Sequence, residues 1–350
     1  MILLIILFLI LLNIYIKKKN INYDLFPFIV VLMILYAGLK FEYSVDYNNY
    51  LINFQEINSI QDVLNTSFEK GYATLLFIFK ILGLGFHSFL LFIAYLSIKM
   101  KSEIIKKYSV LPEISLLLYF LLFYLFNDVE QIRHGISIGF CFYSLKFLLN
   151  DDLKSQLLSI LCIVLGILFH TSAVLFLFVY VLKDKFLDKK VYIILFILSI
   201  VLSFVNYFDV IAAINDSLIH SAYLSTKLNS YQHQSQSIFS LTIAIKIAML
   251  SIFYLFAFDV KNKMHRLLFN IYYLGIVCTC AFSSIPILIA RGSLYMRYTE
   301  LLIIPIYISS IKDKSNKKIH YCILALIFIY YFMKFFISVL DPIYFNYSSI

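Results

Sequence analysis

The stretch Ser115-Leu116-Leu117-Leu118-Tyr119-Phe120-Leu121-Leu122-Phe123-Tyr124-Leu125-Phe126 carries no charge and runs directly into Asn127-Asp128-Val129-Glu130-Gln131-Ile132-Arg133-His134. Strands of a membrane barrel alternate apolar and polar residues, whereas an unbroken apolar run is the mark of a helix in hydrocarbon. The same texture recurs outward in both directions, with apolar segments near residues 1–16, 25–40, 71–84, 86–98, 110–126, 135–149, 155–169, 171–182, 191–208, 238–258, 267–289, 294–311 and 319–340. Of 350 residues, 62% are hydrophobic and 14% charged, with a mean hydropathy of +0.89. A soluble domain is nearer half apolar and a quarter charged. This composition excludes a soluble enzyme, a DNA-binding domain and a secreted disulfide scaffold. It predicts an all-α, polytopic integral membrane protein with a single transmembrane domain over residues 1–350.

The charged residues predict its topology. A net charge of +9 in such a chain reads as the Lys/Arg excess of cytoplasmic loops. Lys17–Lys19 follow the first apolar run instead of preceding it, as a signal peptide would require, so that run reads as a retained helix. Four further basic clusters label cytoplasmic connections: Lys99, Lys101, Lys106 and Lys107; Lys183, Lys185, Lys189 and Lys190; Lys261, Lys263 and Arg266; and Lys312, Lys314, Lys317 and Lys318. An even number of crossings must separate each pair of clusters, yet three segments lie between the first and the second. Segment 71–84, with Lys80 in its middle and Gly83-Leu84-Gly85 at its end, is the weakest. It reads as a re-entrant or surface helix, leaving about twelve transmembrane helices with both termini outside. The extracytoplasmic loops are then 41–70, which is acidic, and 209–237, rich in Asn, Ser and Gln.

Asp46, Arg133, His134, His170, His220, His233, Arg291 and Arg297 fall on this outer side. Three of the four arginines are among them, and a guanidinium suits an anionic ligand better than an ammonium does. The 41–70 loop offers Asp46, Tyr50, Phe54, Glu69 and Tyr72 at its edge, the mixture of carboxylates and rings that binds sugars. An interfacial aromatic belt with solvated acids is the plainer alternative. Arg133 and His134 open a helix, where a guanidinium and the helix's positive end can hold a phosphate; the alternative is an ion pair of Arg133 with Asp128 or Glu130. His170 sits at a corner as a proton acceptor, a phosphate donor, or a ring bonded to backbone carbonyls. Arg291 and Tyr295 share a helical face, while Arg297 and Glu300 have the spacing of a pair. Lys246 and Lys334, inside apolar runs, read as snorkelling. The five cysteines read as small hydrophobes with no metal or disulfide pattern. There is no phosphate-binding glycine loop, zinc motif or nucleophile elbow, so the energy comes from an activated substrate or a gradient.

In this order the features resemble the EpsG-like, Wzy-type polysaccharide polymerases: Asp46 with Tyr50, Glu69-x-Gly71-Tyr72, Ile132-Arg133-His134, the corner His170-Thr171-Ser172-Ala173, and Arg291 with Tyr295 before Pro305. The likeness runs from about residue 40 to 305, and it departs from the family at Val45, where a glycine is usual. The resemblance implies polymerisation of undecaprenyl-diphosphate-linked oligosaccharide repeat units into O-antigen or a related surface polysaccharide. The reaction would occur at the outer face of a bacterial inner membrane. It implies catalytic roles for Asp46, His170, Arg133 and Arg291. The two arginines, with Arg297, would stabilise the leaving diphosphate, and Asp46 or His170 would be the base. Tyr50, Glu69, Tyr72, His134, Tyr295 and Arg297 would contact substrate. The implied partners are the lipid-linked oligosaccharide, membrane lipids and a chain-length regulator protein, with no nucleic acid, metal or other cofactor. A lipid-linked polysaccharide ligase would differ only in its acceptor. A flippase or transporter should carry internal repeats, and none is visible.

Overall fold

A computed structural model gives residues 2–39, 46–207, 209, 212, 241–283, 291–311 and 316–340. Phe41–Val45 of the first outer loop and nearly all of the 209–237 loop, with His220 and His233, lie outside the described residues. Within them every regular element is helical. In chain order these are α1 (Ile2–Lys18), α2 (Phe26–Gly38), α3 (Tyr47–Glu56), α4 (Ile60–Asn65), α5 (Lys70–Ile81), α6 (Phe86–Tyr108), α7 (Pro112–Glu130), α8 (Ile132–Tyr143), α9 (Leu145–Leu148), α10 (Leu153–Phe169) and α11 (Thr171–Leu182). They continue as α12 (Lys189–Leu202), α13 (Leu241–Phe256), α14 (Lys263–Ala281), α15 (Leu294–Arg297), α16 (Glu300–Ser310) and α17 (Lys317–Leu340). Two compact units result, one from Met1–Val174 and Leu301–Ser349, the other from Leu175–Glu300.

Among the described residues, α7 and the Lys317–Val339 part of α17 are long and apolar enough to cross a membrane. The sequence predicts about twelve crossings. Several other apolar helices fall short of the usual span length, and α6 carries lysines within its 23 residues. α7 is mostly buried in the first unit. Along α17, by contrast, Leu326, Ile329 and Met333 are exposed while Phe335 rests on Phe120 at 5.1 Å between ring centroids. Large apolar side chains facing outward are stable only against lipid or another apolar surface.

In the first unit, glycines let helices approach closely. A Cβ on Gly139 would come within 2.9 Å of the Met100 methyl, and one on Gly135 would strike the Asn127 carbonyl oxygen, so α8 lies tightly against α6 and the end of α7. One end of this bundle is an aromatic core in which Tyr50, Tyr72, Phe79, Phe86 and Phe89 pack with Ile132 and Ile136.

The structure corrects the reading of the second basic cluster as a loop. α6 continues unbroken through 99–107, and Lys101 is fully buried in it. Its ammonium lies 2.6 Å from Asp128 Oδ1 and 3.0 Å from Ser97 Oγ. Ser97 Oγ and the Tyr119 hydroxyl donate to the same carboxylate at 2.5 and 2.6 Å. Asp128 belongs to the last, π-helical part of α7, Phe120–Glu130, and not to an outer loop. The network closes at the middle of α6.

Candidate active site

The 46–70 stretch is a folded platform. Asp46 precedes α3, and Tyr50 follows one turn later with its amide bonded to the Asp46 carbonyl at 3.1 Å. Ser59 and Asp62 form a reciprocal capping box at the start of α4. Two lysines then close the loop ends by donating to carbonyl oxygens, the groups a helix C-terminus leaves without partners. Lys70 Nζ bonds the Val63, Leu64 and Thr66 carbonyls at 2.8–3.2 Å. Lys80 Nζ bonds Gln55 and Ile57 carbonyls at 2.8 and 2.9 Å and Asn58 Oδ1 at 2.6 Å. Lys80, which in the sequence weakens segment 71–84 as a crossing, thus ties α5 to the loop after α3. At about 1.5 Å per residue α5 is about 18 Å long, well short of a bilayer core of about 30 Å.

On this platform four expected site residues converge. Glu69 directly precedes α5, and Arg133 is the second residue of α8. Arg133 Nη1 forms an ion pair with Glu69 Oε2, and the Tyr50 hydroxyl accepts a further hydrogen bond from the guanidinium. The guanidinium carbon stands 4.4 Å from the Phe68 ring centroid, 5.8 Å from Tyr72 and 5.9 Å from Tyr50. A cation over aromatic faces is held by their quadrupoles. The partner of Arg133 is therefore Glu69, not Asp128 or Glu130, because Asp128 is turned into the bundle toward Lys101. Arg133 Nε and the wholly buried Tyr72 hydroxyl have no hydrogen-bond partner among the described residues.

His134 and His170 meet beside this cage in the same unit, with ring centroids 4.7 Å apart. His170 ends α10 with an extended backbone, φ −159° and ψ 119°, which starts the corner into α11. Its Nδ1 is bonded to Ser172, at 3.4 Å from the backbone nitrogen and 2.6 Å from Oγ, and that places it with a serine where backbone carbonyls were one alternative. Phe68 and Gln131 escape a sequence reading; Ser172 stands in the corner motif His170–Ala173, and the signal for its role is its position two residues past the histidine, where a hydroxyl folds back locally.

The remaining expected residues, Arg291, Tyr295 and Arg297, lie in the second unit. Arg291 is half-buried and Tyr295 is buried, with 1% exposure. Arg297 Nε reaches Glu300 Oε1 at 3.3 Å, and the Tyr272 hydroxyl donates to the same oxygen at 2.9 Å. The predicted continuous helix 294–311 is broken after Arg297, since Tyr298 and Thr299 form a turn between α15 and α16. Lys246 does not snorkel. It is buried, and its ammonium donates to Thr279 Oγ1 at 3.2 Å and Ser293 Oγ at 3.5 Å.

No solved structure matches the chain. The amylovoran biosynthesis protein AmsC of Erwinia amylovora is 26% identical over 304 residues, covering 81% of this chain and 79% of that protein. A model of the EpsG family matches residues 23–349 and so takes in nearly every helix described above, together with all the arginines and histidines of both units. This all-helical membrane chain belongs to the EpsG family.

Proposed function

We propose that the protein is a polysaccharide polymerase that joins lipid-diphosphate-linked oligosaccharide repeat units by glycosyl transfer. Undecaprenyl diphosphate is the donor's carrier and a second lipid-linked unit the acceptor. The reaction takes place at the outer face of the inner membrane, and the about twelve crossings with both termini outside belong to the same reading. Family membership and the likeness to a protein of amylovoran biosynthesis support polysaccharide assembly. The observation that carries the site is the Arg133 cage. A guanidinium is fixed by Glu69, Tyr50 and Phe68 with its carbon 5.8 Å from the Tyr72 ring centroid, and its Nε and the Tyr72 hydroxyl, both without a partner among the described residues, are the two donors offered to an anionic oxygen.

Diphosphate departure concentrates negative charge on the bridging oxygen, and donors already in place stabilise it without reorganisation. Glu69 orients the cation, and the positive end of α8 adds to it. Asp46, at the start of α3, and His170, at the end of α10, are the candidates for taking the acceptor proton. In the native host, Arg133→Ala at normal membrane abundance should abolish the long-chain ladder while single repeat units remain attached to their acceptor. Loss of even the single unit would point to ligation or flipping. An unchanged ladder would remove Arg133 from the site.

A further inference from the structure

The two stacked imidazoles are held at their Nδ1 atoms by groups of opposite kind. His134, 2% exposed, has Nδ1 3.3 Å from Gln131 Oε1. An amide oxygen only accepts, so His134 Nδ1 bears the proton and its lone pair resides on Nε2. His170, 7% exposed, receives at Nδ1 the backbone N–H of Ser172, which only donates. The Ser172 hydroxyl converges on the same nitrogen at 2.6 Å. The lone pair of neutral His170 is therefore on Nδ1 and its proton on Nε2. The partner of one ring nitrogen fixes the state of the other, and here it fixes the two rings oppositely. Centroids 4.7 Å apart also oppose a positive charge on both rings at once.

Resting on the reading of this end of the unit as a glycosyl-transfer centre, we propose that His134 is the general base and His170 the hydrogen-bond donor to the leaving group. Gln131 and Ser172 are the positioning residues that set the two tautomers. His134 Nε2 takes the proton of the acceptor hydroxyl as that oxygen bonds to the anomeric carbon. The bond from that carbon to the diphosphate oxygen breaks, and its electron pair stays on the diphosphate. His170 Nε2–H hydrogen-bonds to that oxygen, and the proton now on His134 leaves to water. This assignment moves the base from Asp46 or His170 to a residue that the sequence suggests only as a substrate contact.

Isosteric amides separate the roles. A glutamine side chain places its NH₂ where Nε2 stood, whereas an asparagine reaches only to the place of Nδ1. At matched membrane abundance, His170→Gln should make at least about tenfold more long-chain polymer than His170→Asn. Both His134→Gln and His134→Asn should lose about a hundredfold or more, the usual scale of general-base catalysis. Gln131→Glu, which can only accept from Nδ1, should outperform Gln131→Leu. His170→Asn equal to His170→Gln, or His134→Gln still polymerising, overturns the assignment. If any of these variants fails to accumulate, the Gln131 pair decides alone, equal activity of its two members counting against the proposal. Arg133→Ala in the same series separates the two levels. A normal ladder there removes the site itself, whereas a lost ladder with a wrong histidine pattern removes only the tautomer assignment.

Discussion

Arg133 is a cation whose position is determined by aromatic rings as much as by a carboxylate. Phe68, half-buried and closest to the guanidinium at 4.4 Å, holds it without neutralising it. Partly desolvated cation–π contacts are worth about 1–2 kcal/mol. Phe68→Ala should therefore lower kcat/KM for lipid-linked donor about tenfold with little change in membrane abundance, and Phe68→Tyr should restore most of it. Unchanged kcat/KM in Phe68→Ala would show that the ring only fills space. Arg133 itself is legible in the sequence, because an arginine at an outer corner is rare in a chain that favours lysine. Glu69 is legible as a site residue but not as its partner. The nearer acids Asp128 and Glu130 compete on paper, and only packing shows that Asp128 is committed elsewhere. The histidines repeat the lesson. Residue type marks both as chemical, but their ring partners are Gln131, which no motif singles out, and Ser172, which the corner motif contains without giving it a role.

Among the helices, the least expected feature is the π-helical end of α7, Phe120–Glu130, locked to α6 through Asp128. Long π segments are rare and occur mostly at functional places. This one ends one residue before α8, so the Lys101–Asp128 network holds the turn from which Arg133 and His134 start. Breaking a buried ion pair on one side strands the other charge and costs about 3–5 kcal/mol, whereas removing both charges is often close to neutral. Lys101→Met should sharply reduce membrane abundance and the unfolding temperature in detergent. Lys101→Met/Asp128→Asn, which keeps an acceptor oxygen for one of the two hydroxyls and offers an amide N–H to the oxygen of the other, should recover most of both. A double variant as unstable as the single one would show that the pair's charge is not what matters. Helix existence is legible almost throughout, since apolar runs longer than a few turns have no other stable form in lipid. Helix limits are less so. Charge labels suggest that a helix ends before Lys99, but a lysine at 101 can stay helical where an aspartate 27 positions on meets it. The helices α3 and α4 inside the first outer loop are also hidden, because they are short, polar and held by lysine caps from α5.

For the whole molecule, the basic clusters predict that the platform bearing Asp46–Tyr72 faces outward and that Lys317 and Lys318 face the cytoplasm. In a cysteine-free background, Asn49→Cys should react with a membrane-impermeant maleimide on intact cells. Lys318→Cys, also exposed, should react only after permeabilisation. The reverse pattern would invert the topology and move the proposed chemistry to the other face. The sequence by itself determined that the chain is helical, that it lives in a membrane, which family it resembles and which residue types carry its chemistry. Those conclusions follow from composition and local pattern, which the solvent reads directly. Only the tertiary structure decided which acid meets Arg133, that Lys101 is buried with Asp128, and which side chains meet the two histidine rings. Such pairings join residues as many as 64 positions apart, and they depend on how helices rotate and approach, to which glycines, aromatic rings and buried charges contribute jointly.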